Sequence, residues 1–219
     1  MATYTSGAIN EVLIGTGVLY LADRTASGLA FPADDGAGAF ETAAVASASW
    51  RDIGYSEDGW TLEMDRTFED ILVAEEVDPI KTIKTAQEAR LMGELSQASL
   101  KNLSIAMGQT DTYVDEDSSL FTTEYDVVKS PITDAFSELA GFLVVEGPAG
   151  YDRQIHMPRM VSVGAFSMSH AKAPQKVVLA TEFKLLVPDS TLNVGSTGGK
   201  YHLFIIVDNT GDSTEFDVN

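Results

Sequence analysis

The chain has 219 residues, enough for one large domain or a compact domain with long insertions, and its 44% hydrophobic content argues for a packed core rather than general disorder. No apolar run approaches the roughly 20 residues of a membrane-spanning helix, and with no cysteine there are no disulfides, thiolate metal sites or thiol nucleophiles. Lys and Arg number 14 against 33 Asp and Glu, a formal charge of -19, which opposes binding to free nucleic acid because phosphate contacts need clustered cations.

The opening MATYTSGAINEVL lacks the basic start and apolar core of a secretory signal, so no export is expected. Val12 to Ala22 (VLIGTGVLYLA) is β-rich and apolar and reads as a buried first strand. Gly15 and Gly17 sit inside it. With no helix following, they mark a bulge or a close backbone approach rather than a phosphate loop. Residues 23–48 are rich in Ala, Gly, Ser and Asp and read as a surface loop or insertion.

Residues 59–95 carry the main strand signal and read as a long hairpin. Trp60, Leu62, Met64, Arg66 and Phe68 fall on one face, and Thr61, Glu63, Asp65, Thr67 and Glu69 on the other. Glu75-Glu76-Val77-Asp78-Pro79 supplies the tip, where Pro79 cannot donate to a ladder. On the return strand, Ile83, Thr85, Gln87, Ala89, Leu91 and Leu95 are expected on one face and Lys84, Glu88, Arg90 and Glu94 on the other. A helix follows over 96–107. Ser96 is the expected N-cap, Leu95 and Leu100 the hydrophobic staple, and Gly108 the left-handed stop. Leu100, Leu103 and Met107 are expected to share its apolar side.

Residues 109–131 form an acidic stretch, a long loop or a loose hairpin, with Asp115-Glu116-Asp117 at its centre. Further strands are expected at Leu139–Glu146, Met157–His170, Gln175–Val187 and Lys200–Asp208. Strands outnumber helices and no βα unit repeats. The expected fold is therefore mainly β, an antiparallel sandwich or barrel with one packed α-helix and a long β-hairpin, in a single domain spanning 1–219.

No catalytic constellation stands out, and the chain is not expected to be an enzyme. His156, His170 and His202 lie in no metal-binding spacing, and no nucleophile elbow is present. Asp34-Asp35, Asp115-Glu116-Asp117 and the segment from Asp208 to Asp212 lack the spacing of a calcium loop. Catalytic, cofactor and metal residues are all assigned as none. Basic residues gather only at Lys81, Lys84 and Arg90, at Arg153 and Arg159, and at Lys172 and Lys176. They are either solvated or dock the acidic surface of a neighbouring copy.

The order of these segments resembles the tail tube (major tail) proteins of long-tailed bacteriophages of the siphophage type. A "W-x-x-h-G-h-x-x-x-G" turn (h is apolar) is matched by Trp50, Ile53, Gly54, Tyr55 and Gly59. An acidic hairpin with the Pro-containing tip Glu75 to Pro79 follows, then a helix resembling "L-x-x-A-S-L-x-N-L-x-x-A-M-G" from Leu95 to Gly108. The similarity continues with "H-x-P-R" at His156 to Arg159, an Ala-Pro turn at 171–174, and a strand like "F-K-x-L-x-D" near Phe183 to Asp189.

The resemblance implies a structural subunit that assembles with itself into hexameric rings, each completing a ring-wide β-barrel. The rings stack into a tube through which genomic DNA is ejected, without specific binding, into the host. The long hairpin, the N-terminal segment or the C-terminal arm then bridges rings, with the hairpin tip Glu75 to Pro79 an inter-subunit or inter-ring candidate, and Glu63, Asp65 and Glu69 are the candidate lumen lining. Implied partners are the tape measure protein, the tail terminator and the baseplate or tail-tip proteins, with no membrane. The implied location is the virion tail, after synthesis in the host cytoplasm. The -19 charge reads either as plain solubility or as a surface past which DNA slides without sticking. The alternatives are another virion part (a capsid decoration protein or tail terminator) and a soluble ligand-binding β-sandwich.

Overall fold

Strands form where apolar and polar residues alternate, because period two sends successive side chains to opposite faces of a sheet. The computed structural model describes residues 17–26, 29–32, 50–72, 78–109, 114–115, 126–127, 137–146, 152–165, 178–188, 196–197 and 200–208. In chain order these hold β1 (Val18–Asp23), β2 (Arg51–Asp52), β3 (Ser56–Ile71), β4 (Lys81–Leu95), α1 (Leu100–Ala106), β5 (Val114–Asp115) and β6 (Asp126–Val127). There follow β7 (Leu139–Glu146), β8 (Asp152–Ser162), β9 (Leu179–Leu185), β10 (Ser196–Thr197), β11 (Lys200–Tyr201) and β12 (Ile205–Asp208). The fold is mainly β and antiparallel, with α1 the one helix among the described residues and β3–β4 a long hairpin.

Eight strands make one sheet in the order β2-β1-β7-β8-β9-β4-β3, with β12 also paired to β8. Two small ribbons, β5–β6 and β10–β11, stand apart; β5–β6 puts a short hairpin within the acidic stretch. The path does not close into a barrel. It does curl. Its terminal strands, β2 and β3, are joined by residues 53–55 alone, a link that reaches at most ~14 Å. Six flat strand spacings would hold them ~29 Å apart.

The curl encloses the main core. Leu19 and Leu21 of β1, Leu91 and Leu95 of β4, Met157 and Met160 of β8 and Phe183 of β9 belong to one buried cluster with Ile53 and Ile105. Residues of the opposite parity on β1 and β7, Ala22, Ala140 and Phe142, form a second cluster with Trp50, and Tyr20, Leu29 and Phe31 pack against it. Gly17 is the close approach expected of the first strand: a Cβ there would meet Leu143 Cδ1 at 2.7 Å. Gly15 lies outside the described residues.

β8 begins at Asp152, earlier than its apolar pattern indicates. Its polar residues Gln154 and His156 are buried and face each other, which lets a polar stretch pass through the sheet interior. One edge of β8 runs along β7. The other changes partner, pairing β12 over Arg153–His156 and β9 over Met160–Ser162. Pro158 sits between the two, where a ladder N–H is missing, and three residue steps of β8 oppose two of β7. At this junction Glu138 accepts from Arg24 at 2.7 Å and also pairs with Arg159. The guanidiniums hold its carboxyl below the usual range, Arg159 most strongly, against the upward pull of burial.

The helix corrects three expectations. Its N-cap is Ser99, whose side chain accepts from the Asn102 backbone N–H at 3.2 Å, and not Ser96. Ser96 is held by the sheet instead: its N–H donates to the Tyr55 carbonyl and its hydroxyl to Glu57. The Leu95–Leu100 staple is not formed. Leu95 is fully buried as the last residue of β4, and Leu100 is exposed. The fully buried helix residues are Asn102, Ser104, Ile105 and Ala106; of the expected apolar side, Leu103 packs half-buried against the core and Met107 is half-buried, whereas Leu100 is exposed. The Asn102 side-chain amide donates to the carbonyls of Ile53 at 2.8 Å and Gln97 at 2.9 Å, which ties the helix to the link between the sheet's ends. Gly108, at φ 77°, follows the Met107 C-cap.

Candidate assembly surface

β3 is the outer edge of the sheet, and its partner β4 is covered on its other side by β9 only from Arg90 to Leu95. Beyond that point, β3 from Met64 and β4 back to Lys81 form a two-stranded ribbon that pairs with no other described strand. Seven residue steps give it a length of ~24 Å. Every residue from Asp65 to Leu72 and from Asp78 to Gln87 is exposed, apart from 73–77, which lie outside the described residues.

A free two-stranded ribbon is marginally stable in water. This one also presents large apolar side chains: Phe68, Leu72 and Ile80 are 55%, 65% and 58% exposed, with Ile71 and Ile83 exposed to lesser degrees. Arg66, Lys81, Lys84, Asp65, Glu69 and Asp70 are interspersed, and Thr82 donates to Asp70 at 2.6 Å. Apolar groups on an arm and a sheet edge that pair with no further strand among the described residues suit burial against another protein surface.

The face assignment of β3 follows its alternation. Trp60, Leu62 and Met64 stand opposite Gly93, Leu91 and Ala89, with Trp60 and Leu62 against the core. Gly93 lets the indole lie flat on the strand, since a Cβ there would meet Trp60 Cε3 at 2.5 Å. Glu63, Asp65 and Glu69 are exposed on the opposite face, across from Arg90, Glu88 and Ile83. Ile83 and Lys84 depart from the expected faces of β4. Thr85 is an extra residue between the pairs Thr67–Ala86 and Phe68–Lys84, so Ile83 joins the acidic face and Lys84 faces Phe68.

The outer face of the hairpin's root is more mixed in charge than an acidic lining. Arg90 pairs with Glu88 at 2.9 Å and also with Glu182, and Lys184 pairs with Glu88 at 2.9 Å. Glu88 is held below the usual carboxyl range chiefly by its bond to Lys184, and Arg90 is raised chiefly by Glu182. Sequence alternation placed Glu88 and Arg90 together. The contributions of Glu182 and Lys184 follow from strand order, which no local pattern reveals. Of the expected tip, Asp78 and Pro79 are exposed at the start of the return strand, whereas Glu75, Glu76 and Val77 lie outside the described residues.

No family model matches the chain, and no curated protein matches it. Among solved structures it is similar to a chain in the "Cryo-EM structure of the anti-feeding prophage (AFP) baseplate, 6-fold symmetrised". The TM-score is 0.43 and the identity 9%, over 96% of this chain and 99% of that one. Similarity of that size leaves the function to be argued from the chain's own arm, edge and charge.

Proposed function

We propose that this chain is a non-enzymatic structural subunit of a bacteriophage tail tube, assembling with copies of itself into stacked, hexameric rings whose acidic lumen conducts DNA. The observation that carries the reading is the arm: a β-ribbon with exposed Phe68, Leu72 and Ile80 that no other strand among the described residues supports, continuing from a sheet whose outer strand β3 pairs with no further described strand. Such a ribbon gains its stability from a partner, and an open-ended edge suits repeated head-to-tail association. The segment order from Trp50 to Gly108 supplies the particular assembly, through its resemblance to tail tube proteins. In this reading Glu63, Asp65 and Glu69 face the lumen, where carboxylates repel phosphate.

Negative-stain electron microscopy of the purified protein at rising concentration tests it. Hollow tubes or six-fold rings that stack are the expected result. A closed oligomer that never stacks would point instead to a tail terminator or decoration protein. A monomer that persists with a tail-initiator complex added would overturn the reading.

A further inference from the structure

Away from the arm, the sheet register sets one row of side chains across five strands: Asp52, Tyr20, Phe142, His156 and Ile205 are successive partners on β2, β1, β7, β8 and β12. Segment 29–32 lies over this row. Phe31 lies flat on the His156 ring, with centroids 4.4 Å apart and planes 7° from parallel. It also tilts against Trp50 at 5.4 Å, and Trp50 meets Phe142 edge-on at 4.8 Å. Trp50 Nε1 donates to the Ala30 carbonyl at 2.8 Å. The segment is therefore pinned by an indole hydrogen bond and by a stack whose lower ring is titratable.

His156 is 6% exposed. Its Nε2 faces Gln154 Oε1, while its Nδ1 is buried without a hydrogen-bond partner. A neutral ring suits this site, with Nε2–H donating to Gln154 and Nδ1 keeping only a lone pair. A protonated ring would place a charged N–H at Nδ1 with no acceptor, out of reach of water. Attraction between an imidazolium and the face of Phe31 works in the other direction. Burial prevails and pushes the His156 pKa down to about 4.

Few other described groups can compensate a proton there. Tyr20, on β1, is raised by burial and then by Asp52, and stays neutral in acid. Asp52, on β2, stands at the far end of the row and accepts from the Gly54 N–H at 2.7 Å. On this face β7 contributes Phe142 and Val144, β12 contributes Ile205 and Val207, and segment 29–32 is Leu-Ala-Phe-Pro, none of them charged. The pair Glu146–Asp152 shares the face by register but stands four residues along the strands from the Phe142–His156 pair, about 13 Å away.

We propose that segment 29–32 is a proton-operated strap, seated on the outer face of the sheet while His156 is neutral and released when Nδ1 takes a proton. Release is the way the charged ring regains water without breaking the strands on either side of it. It uncovers the ring faces of His156 and Trp50 that Phe31 covers, an aromatic patch separate from the arm.

The test uses the full chain with Trp60→Phe, so that Trp50 is the single tryptophan reporter. On titration from pH 7.5 to 3, Trp50 emission should shift to the red and its quenching by acrylamide should rise. The midpoint should lie near pH 4, with the far-UV circular dichroism of the strands intact. In His156→Phe that step should vanish. Emission and strand signal changing together, or the same midpoint in His156→Phe, overturns the proposal. Should His156→Phe fail to fold, Phe31→Ala decides, with the His156 titration read by carbon-edited NMR. A midpoint moving up toward 6.5 supports the strap, and an unmoved one overturns it.

Discussion

Ser99 and Ser96 show how finely a helix start is decided. Both are good capping residues followed by good helix formers, yet only Ser99 has a free extended backbone ahead of the first turn; Ser96 is still bonded to the Tyr55 carbonyl. Ser99→Ala should therefore cost about 1 kcal/mol of unfolding free energy. Ser96→Ala, which loses only its exposed bond to Glu57, should cost less than about 0.5 kcal/mol. Equal losses in urea unfolding would contradict the cap assignment. His156 makes a second prediction at this scale. Its folded pKa is about 4 against an ordinary 6.5, so the unfolded chain binds the extra proton between these values. Its stabilising contribution is complete above pH 6.5, declines as pH falls through the window, and is gone below about 4, a loss of about 3 kcal/mol. Glu138 and Glu88, whose pKa values are lowered, act in the same direction but only below their ordinary 4.5. Between pH 6.5 and 4.5 the slope of stability with pH should thus largely disappear in His156→Phe, as measured by urea midpoints at fixed pH.

The hairpin was the element most legible in the sequence, because strict alternation over β3 fixes its faces whatever the strand later pairs with. Its partner was legible only up to the bulge at Thr85: an extra residue inverts the faces beyond it, and no residue type there announces the insertion. The polar start of β8 was missed for a related reason. Gln154 Oε1 and His156 Nε2 are buried against one another only once the sheet has formed, so hydropathy reads the segment as loop. The single sheet, its open path and the split edge at Pro158 depend on pairings between distant residues, which local patterning does not encode. What alternation cannot show, and the described strands do, is that the outer half of the hairpin pairs with no other strand among the described residues. Replacing Phe68 and Ile80 by serine therefore removes no core contact. The double variant should keep its melting temperature within ~2 °C in calorimetry while its oligomers, followed by sedimentation velocity, fall back to monomers. A lowered melting temperature would mean that the arm packs on its own subunit, and undiminished assembly would remove the arm from the interface.

At the scale of the whole molecule, a formal charge of -19 sets two forces against one another. Copies repel, so assembly must come from apolar and hydrogen-bonded contacts strong enough to overcome that repulsion, and screening by salt should lower the protein concentration at which it begins. The same charge, facing a channel, would keep phosphate from settling there. Arg90 and Lys184 are compatible with that role because Glu88 and Glu182 occupy them. Glu63, Asp65 and Glu69, by contrast, belong to no ion pair among the described residues and are exposed on this side. Exchanging all three for lysine reverses the charge of one stripe on β3 while leaving the apolar side of the arm untouched. If that stripe lines a lumen, the triple variant should assemble at the same or lower concentration than the parent. Its assemblies should then retain added double-stranded DNA at low salt and release it as salt rises, the signature of phosphate contacts. Retention is measured by co-sedimentation of labelled DNA. A variant that no longer assembles would place the three carboxylates at a contact between subunits. One that assembles without holding DNA would place them on the outside of the particle.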